Sequence, residues 1–244
     1  MTRIARAVAV DVPYHVTHRG IRGADIFFDA DDRRRYLDDL AGRAVDGGLD
    51  IWGWCLMTNH IHLLVVPRRR DALARVIGRA HQRHSQRINA AHGWRGHLWA
   101  DRFYSTPLDD LHLWTAIKYI ELNPLRAGLV RRAEEWSWSS ARHHSGVPAR
   151  DWPGELPATG SPFGGTRPHP LDGRPMAWAD WLSLGLEAEA IDRLRRATMT
   201  GRPCGSESFA QGLEAQLGRV LTPQKRGPKS TAPNQQPNEE NLFQ

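Results

Sequence analysis

Cysteine, lysine and long apolar runs are all scarce in this sequence. Its two cysteines, Cys55 inside an apolar run and Cys204 in a Gly/Pro turn, supply neither a disulfide framework nor a Cys-rich metal site. A reducing, cytoplasmic setting is the expectation. No stretch approaches membrane-spanning length, and Met1 to Val12 carries scattered Arg and Asp with no apolar h-region, so neither secretion nor membrane insertion is expected. Of the 33 cationic residues only 3 are lysine. That bias fits a GC-rich coding sequence, although arginine is also the better bidentate fork for phosphate.

What is present is length and positive charge. The 244 residues amount to about one and a half typical domains. A net charge of +6 and a pI near 9.9 favour an anionic partner. The charge is uneven: residues 1–150 carry 23 basic and 16 acidic side chains, residues 151–244 carry 10 and 11. A polyanion would therefore sit mainly on the first part.

Pattern divides that first part into strands and helices. Tyr14 to Arg19 alternates and is rich in β-formers before Gly20 breaks it. Asp29 opens a helix with Tyr36, Leu37, Leu40, Ala41 and Ala44 inward and Gly47-Gly48 as its stop. Leu49 to Met57 and His60 to Val66, joined at Thr58-Asn59 and ending at Pro67, should pair as an antiparallel hairpin. From Asp71 to about Ala91, Leu73, Val76, Ile77, Ala80 and Ile88 recur at helical spacing while Arg75, Arg79, Arg83 and Arg87 step by four along another face. Arg102 to Ser105 reads as a short strand. Asp109-Asp110 caps a third helix through Ile120, which Pro124 stops. This order predicts an α+β fold, a ferredoxin-like antiparallel sheet with helices packed on it.

The expected organisation is a domain over residues 1–146, a Pro/Gly-rich linker over 147–176, a helical extension over 177–221 and a disordered tail over 222–244. In the extension, Ala177 to Leu184, Leu186 to Thr198 and Ser206 to Leu217 read as short helices. The last two form either a helix-turn-helix or, the preferred reading, a plain helical hairpin. The final Glu240 to Gln244 resembles a truncated cleavage tag and carries no functional argument.

Two constellations carry chemistry. His60 and His62 alternate on a strand, so both imidazoles point to one face about 7 Å apart at about 3.3 Å per residue. Such a pair can hold a divalent ion. On spacing alone it is as well read as two partly exposed strand histidines. Tyr119 and Asn123 are four apart and share a helix face. Asn123 could offer an amide oxygen to the same ion and Tyr119 a nucleophilic hydroxyl; equally, Tyr119 could be a core aromatic and Asn123 a cap before Pro124. The arginine stripe drifts about 40° per four residues, so about three of its four members could face one phosphate backbone. A solvated helix face is the plainer reading. Arg19 and Arg22, either side of Gly20, are further candidates for DNA contact.

Trp54-Cys55-Leu56-Met57-Thr58-Asn59-His60-Ile61-His62-Leu63-Leu64-Val65, then Lys118 to Val130 with Tyr119 and Asn123-Pro124, then Trp138-Ser139-Ser140-Ala141, resemble the single-tyrosine HUH transposases, in particular the REP-associated tyrosine transposase branch. The resemblance covers about Arg3 to Gly146. It implies a nuclease core that cuts and rejoins single-stranded DNA beside a hairpin, using Mg²⁺ or Mn²⁺ and no high-energy cofactor. It puts His60, His62 and Asn123 on the metal, Tyr119 on the nucleophile, and the protein in a bacterial cytoplasm with the nucleoid as a monomer or homodimer. The implied product is a 5′-phosphotyrosine that keeps the phosphodiester's free energy for strand transfer. Other readings are a hairpin-binding regulator descended from a transposase, a two-His-x-Thr phosphodiesterase drawing on His15-Val16-Thr17, and a zinc hydrolase. The phosphodiesterase lacks a second His-x-Thr, and the hydrolase gives Tyr119 no role.

Overall fold

The computed structural model describes residues 4, 6, 8–147 and 177–223. The expected linker, from residue 148, and the expected tail, from residue 224, lie outside the described residues. Four strands, β1 (Tyr14–Arg19), β2 (Leu49–Leu56), β3 (His60–Pro67) and β4 (Tyr104–Pro107), form one antiparallel sheet in the order β2-β3-β1-β4. With α1 (Ala30–Gly47) between β1 and β2, and α2 (Gly78–His92) between β3 and β4, this is the expected ferredoxin-like α+β fold.

Local chemistry sets the element ends. The Asp29 carboxylate accepts from the Asp32 N–H at 2.8 Å and caps α1, Asp31 and Asp32 lie in its positive first turn, and Gly48 closes it with a left-handed φ of 66°. The stretch Leu73–Ile77 is wound as a π-helix before α2 proper begins, so the expected second helix is two geometries in series. β4 starts two residues later than expected. Its ladder runs from Thr17 opposite Tyr104 to Tyr14 opposite Pro107, while Phe103 stays outside it under the Arg6 guanidinium, 3.6 Å from the ring centre. Pro107 is tolerated because β4 is an edge strand.

At Pro124 the third helix stops as expected, but another follows. Helix α3 (Asp110–Glu121) ends before it, and the proline sits in the first turn of a new short helix, α4 (Asn123–Arg126). Proline lacks only an N–H that is orphaned there anyway. Asn123 thus opens α4 rather than closing α3.

The sheet separates two cores. On one face, α1 and α2 pack on Val16, Ile61, Leu63 and Val65; on the other, Leu113, Ala116, Ile117 and Ile120 of α3 pack on Cys55 and Leu64. Gly53 makes the second contact close. A Cβ there would lie 2.1 Å from Ile117 Cδ1, and the ladder carries a bulge between Ile51 and Gly53. The absent side chain therefore sets how near α3, and with it Tyr119, comes to the sheet.

The third motif covers the free edge of β2. The Leu56 N–H donates to the Trp138 carbonyl at 2.8 Å, Cys55 bridges Ser139, and Ser140 Oγ accepts from the Trp54 N–H at 3.0 Å. The Ser140 hydroxyl then donates to Glu121, a fully buried carboxylate that also accepts from His144 of α5 (Ala141–His144) and the indole N–H of Trp178 in α6 (Trp178–Ser183). One buried anion so ties α6 to the first domain with charge-assisted bonds. Next, α7 (Ala188–Thr200) lies against α3, β4 and β1, while Leu213 of α8 (Glu207–Leu217) packs with Ala9. Among the described residues no helix is long and apolar enough to cross a membrane.

Candidate active site

The pleat of β1 and β3 puts His15, His60 and His62 on the α3 face of the sheet, because Val16, Ile61 and Leu63 occupy the other. The His60 and His62 rings meet edge to face with centroids 5.0 Å apart, and Tyr119 meets His62 at 5.5 Å and His15 at 5.8 Å. Tyr119 is 7% exposed and His62 5%. The Asn123 side chain lies close enough to His60 to act on its imidazole. Four residues singled out in the sequence, from two separate motifs, therefore share one site.

Burial keeps the imidazoles neutral. Desolvation, reinforced by Arg19, pushes His60 down to about 4 against the raising effect of Asn123. Desolvation alone brings His15 to about 3, and desolvation with the neighbouring His60, His15, Arg126 and Arg195 holds His62 well below its ordinary value. A neutral imidazole keeps a lone pair for a metal.

The tautomer of His60 follows from its neighbour. Asn59 Nδ2 donates to the Gly23 carbonyl at 3.0 Å, and a carbonyl can only accept, so the amide oxygen faces His60 Nδ1 at 2.6 Å. Nδ1 carries the proton and Nε2 the lone pair. Among the described residues no group of three His, Cys, Asp or Glu side chains is placed to hold an ion. The polar side chain of another type beside His60 is the Asn123 amide.

Two arginines flank Tyr119. The Arg126 guanidinium lies 4.7 Å from its ring centre, and Arg195 Nε points at its hydroxyl oxygen from 3.4 Å. Neither was legible as a site residue. Arg126 stands three after Asn123, on the turn that Pro124 starts, which is a usable signal; Arg195 lies 76 residues beyond Tyr119 in an ordinary amphipathic helix, and no spacing rule reaches it.

The candidate DNA contacts divide. Arg19 pairs with His60 across the ladder and is exposed beside the site, and Arg22 is exposed in the following turn at φ 55°. Arg75 of the π-helical turn and Arg79 and Arg83 of α2 are exposed across the sheet from Tyr119, and the fold does not bring them to it. Arg87 is half-buried, donating to the Asp32 carbonyl at 3.3 Å and to His84 Nδ1 at 2.9 Å.

Residues 9–123, which hold both histidines, Tyr119 and Asn123, match the family model described as IS200-like transposases. Over this segment, a little under half of its length, the chain is similar to the IS200-like transposases. No curated protein matches the chain. Among solved structures, the chain is similar to one described as a REP-associated tyrosine transposase bound to a REP hairpin, at 17% identity and a TM-score of 0.49, covering 64% of this chain and 93% of that one. It is also similar to a transposase candidate from Deinococcus radiodurans R1, at 20% identity and a TM-score of 0.34, covering 49% and 96%.

Proposed function

We propose that this chain is a metal-dependent single-stranded DNA endonuclease and strand-transferase that acts beside DNA hairpins through a covalent 5′-phosphotyrosine on Tyr119. The observation that carries the reading is the convergence, on one face of the sheet, of two neutral histidines, an amide and a tyrosine flanked by two guanidinium groups.

The donor set fits a divalent ion. His60 offers Nε2, His62 stands beside it, and Asn123 meets the same ring. Mg²⁺ or Mn²⁺ held by His60, His62 and Asn123 would supply Lewis-acid polarisation of a non-bridging phosphate oxygen and of the departing 3′-oxygen.

The chain's own residues supply the rest. Tyr119 Oη attacks phosphorus in line, the O–P bond forms as the P–O3′ bond breaks, the phenolic proton leaves to solvent, and the 3′-oxygen departs as a hydroxyl after taking up a proton. Arg195 places a cation at the atom where charge builds during attack, and Arg126 adds a second beside it. A later 3′-hydroxyl reverses the step and joins a new strand. Arg19, exposed next to His60, is placed to hold the substrate backbone near the site. The exposed row of Arg75, Arg79 and Arg83 can contribute affinity from the far face but not chemistry.

The test is incubation with labelled single-stranded hairpin oligonucleotides carrying a flank, in Mg²⁺ or Mn²⁺, followed by denaturing gels and peptide mass analysis. The expected result is an adduct on Tyr119, and a Tyr119→Phe protein that binds the hairpin yet forms none. An undiminished adduct in that variant removes Tyr119 from the role. Binding with no adduct in either ion favours a hairpin-binding regulator.

A further inference from the structure

Helix α7 lies outside the segment that matches the transposase family, yet it reaches into the site at two positions three residues apart, Arg195 and Thr198. The contact of Thr198 is indirect. His15 Nδ1 lies 2.9 Å from Thr198 Oγ1, His15 Nε2 lies 3.0 Å from His62 Nδ1, and Thr198 Oγ1 lies 2.8 Å from the Leu194 carbonyl oxygen. All three side chains are buried.

The proton pattern along this row has two solutions. In the first, the Thr198 hydroxyl donates to the Leu194 carbonyl, His15 Nδ1–H donates to Thr198, and His62 Nδ1–H donates to His15. Three hydrogen bonds form and His62 Nε2 keeps its lone pair. In the second, Thr198 donates to His15 and His15 donates to His62. Only two bonds form, and the proton of His62 moves to Nε2. The first pattern makes one more bond in a buried setting, where an unmade bond is costly.

We infer that Thr198 and His15 are positioning residues which hold His62 as its Nδ1–H tautomer, so that the C-terminal extension makes the histidine pair competent for an ion. His60 is held in the same tautomer by Asn59, and the two rings then present matching Nε2 donors. Outer partners of this kind typically tune metal affinity by about 10–100-fold. The inference rests on the metal reading of the site for its purpose, but not for its readout.

The experiment uses the full chain labelled with ¹⁵N-histidine at pH 7.5, without metal or DNA. Long-range ¹H–¹⁵N correlation spectra report the tautomer of each ring, and His62 is assigned by difference against His62→Gln. Wild type should show His62 protonated at Nδ1. Thr198→Val, which keeps shape but removes the hydroxyl, should bring up the Nε2–H form, and Thr198→Ser should restore the wild-type signal. Calorimetry with Mn²⁺ should then show affinity about tenfold weaker in Thr198→Val and recovered in Thr198→Ser. A wild-type His62 protonated at Nε2 overturns the inference, as does a folded Thr198→Val with unchanged tautomer. If Thr198→Val fails to fold, the wild-type and Thr198→Ser spectra decide alone. The expected tautomers with no Mn²⁺ binding to wild type leave the relay standing and overturn the metal reading instead.

Discussion

Arg195 Nε lies 3.4 Å from the hydroxyl of Tyr119, a contact that joins the C-terminal helices to the tyrosine at the centre of the candidate site. If this cation meets the charge that builds on the attacking oxygen, Arg195→Ala should lower the rate of adduct formation at saturating hairpin by about 10²-fold, the usual effect of losing one such donor. Single-turnover gels measure it. Hairpin affinity should change far less than the rate, and an unchanged rate would remove Arg195 from the chemistry.

His60→Ala should abolish both divalent-ion dependence and cleavage. The comparison is adduct yield in Mn²⁺ against yield in chelator. Wild type should lose its adduct in chelator, and full-rate cleavage there would show that the ion has no part in the reaction.

Gly53→Ala should destabilise the fold, because its Cβ meets Ile117 Cδ1 on a packed face. Overpacking of this kind costs about 1–3 kcal/mol. Urea denaturation reads the loss, and Ile117→Val, which shortens the opposing side chain, should recover part of it. Additive losses in the double variant would show that this contact is not the cause.

Acid should unfold the protein through histidines remote from the candidate metal site. His84 is pushed down to about 4 by desolvation, with its Nε2 donating to the Ile26 carbonyl and its Nδ1 accepting from Arg87; His81 is held well below its ordinary value by desolvation and by His18. Both native pKa values lie below the unfolded value of 6.5. The unfolded chain therefore binds more protons, and stability present above that pH is lost as pH falls from it towards about 4. Each such group adds a slope of up to about 1.4 kcal/mol per pH unit inside that window. Urea midpoints at pH 7.5, 6 and 5 should fall steeply, and His84→Gln should flatten the curve.

The exposed row of Arg75, Arg79 and Arg83 lies across the sheet from Tyr119. Replacing all three with Gln should weaken hairpin binding and reduce the slope of log affinity against log salt by about 0.7–0.9 for each phosphate that the row neutralises. The adduct rate at saturating DNA should stay as in wild type. An unchanged salt slope would make the row a plain solvated helix face.

Much of the fold was legible because its signals are local. The Asp29 cap, the Gly48 stop and the β-formers of Tyr14 to Arg19 act within one or two turns of chain, and each element lies where they put it. The start of β4 was not legible, since cross-strand pairing with Tyr14 to Thr17 decides it. Helix α3 does end before Pro124, but α4 was not legible, because the same residue ends one helix and suits the first turn of the next.

The sequence by itself determined which residues carry reactive groups, and strand alternation placed His60 and His62 on one face. Only the tertiary structure decided what surrounds them. Sheet order brought His15 against His62, the close approach at Gly53 set the depth of Tyr119, and the packing of α7 delivered Arg195 to Tyr119 from 76 residues away and Thr198 to His15 from 183. It also set the α2 arginines on the far face. Periodicity fixes which side of an element a residue occupies, but only packing fixes what that side meets.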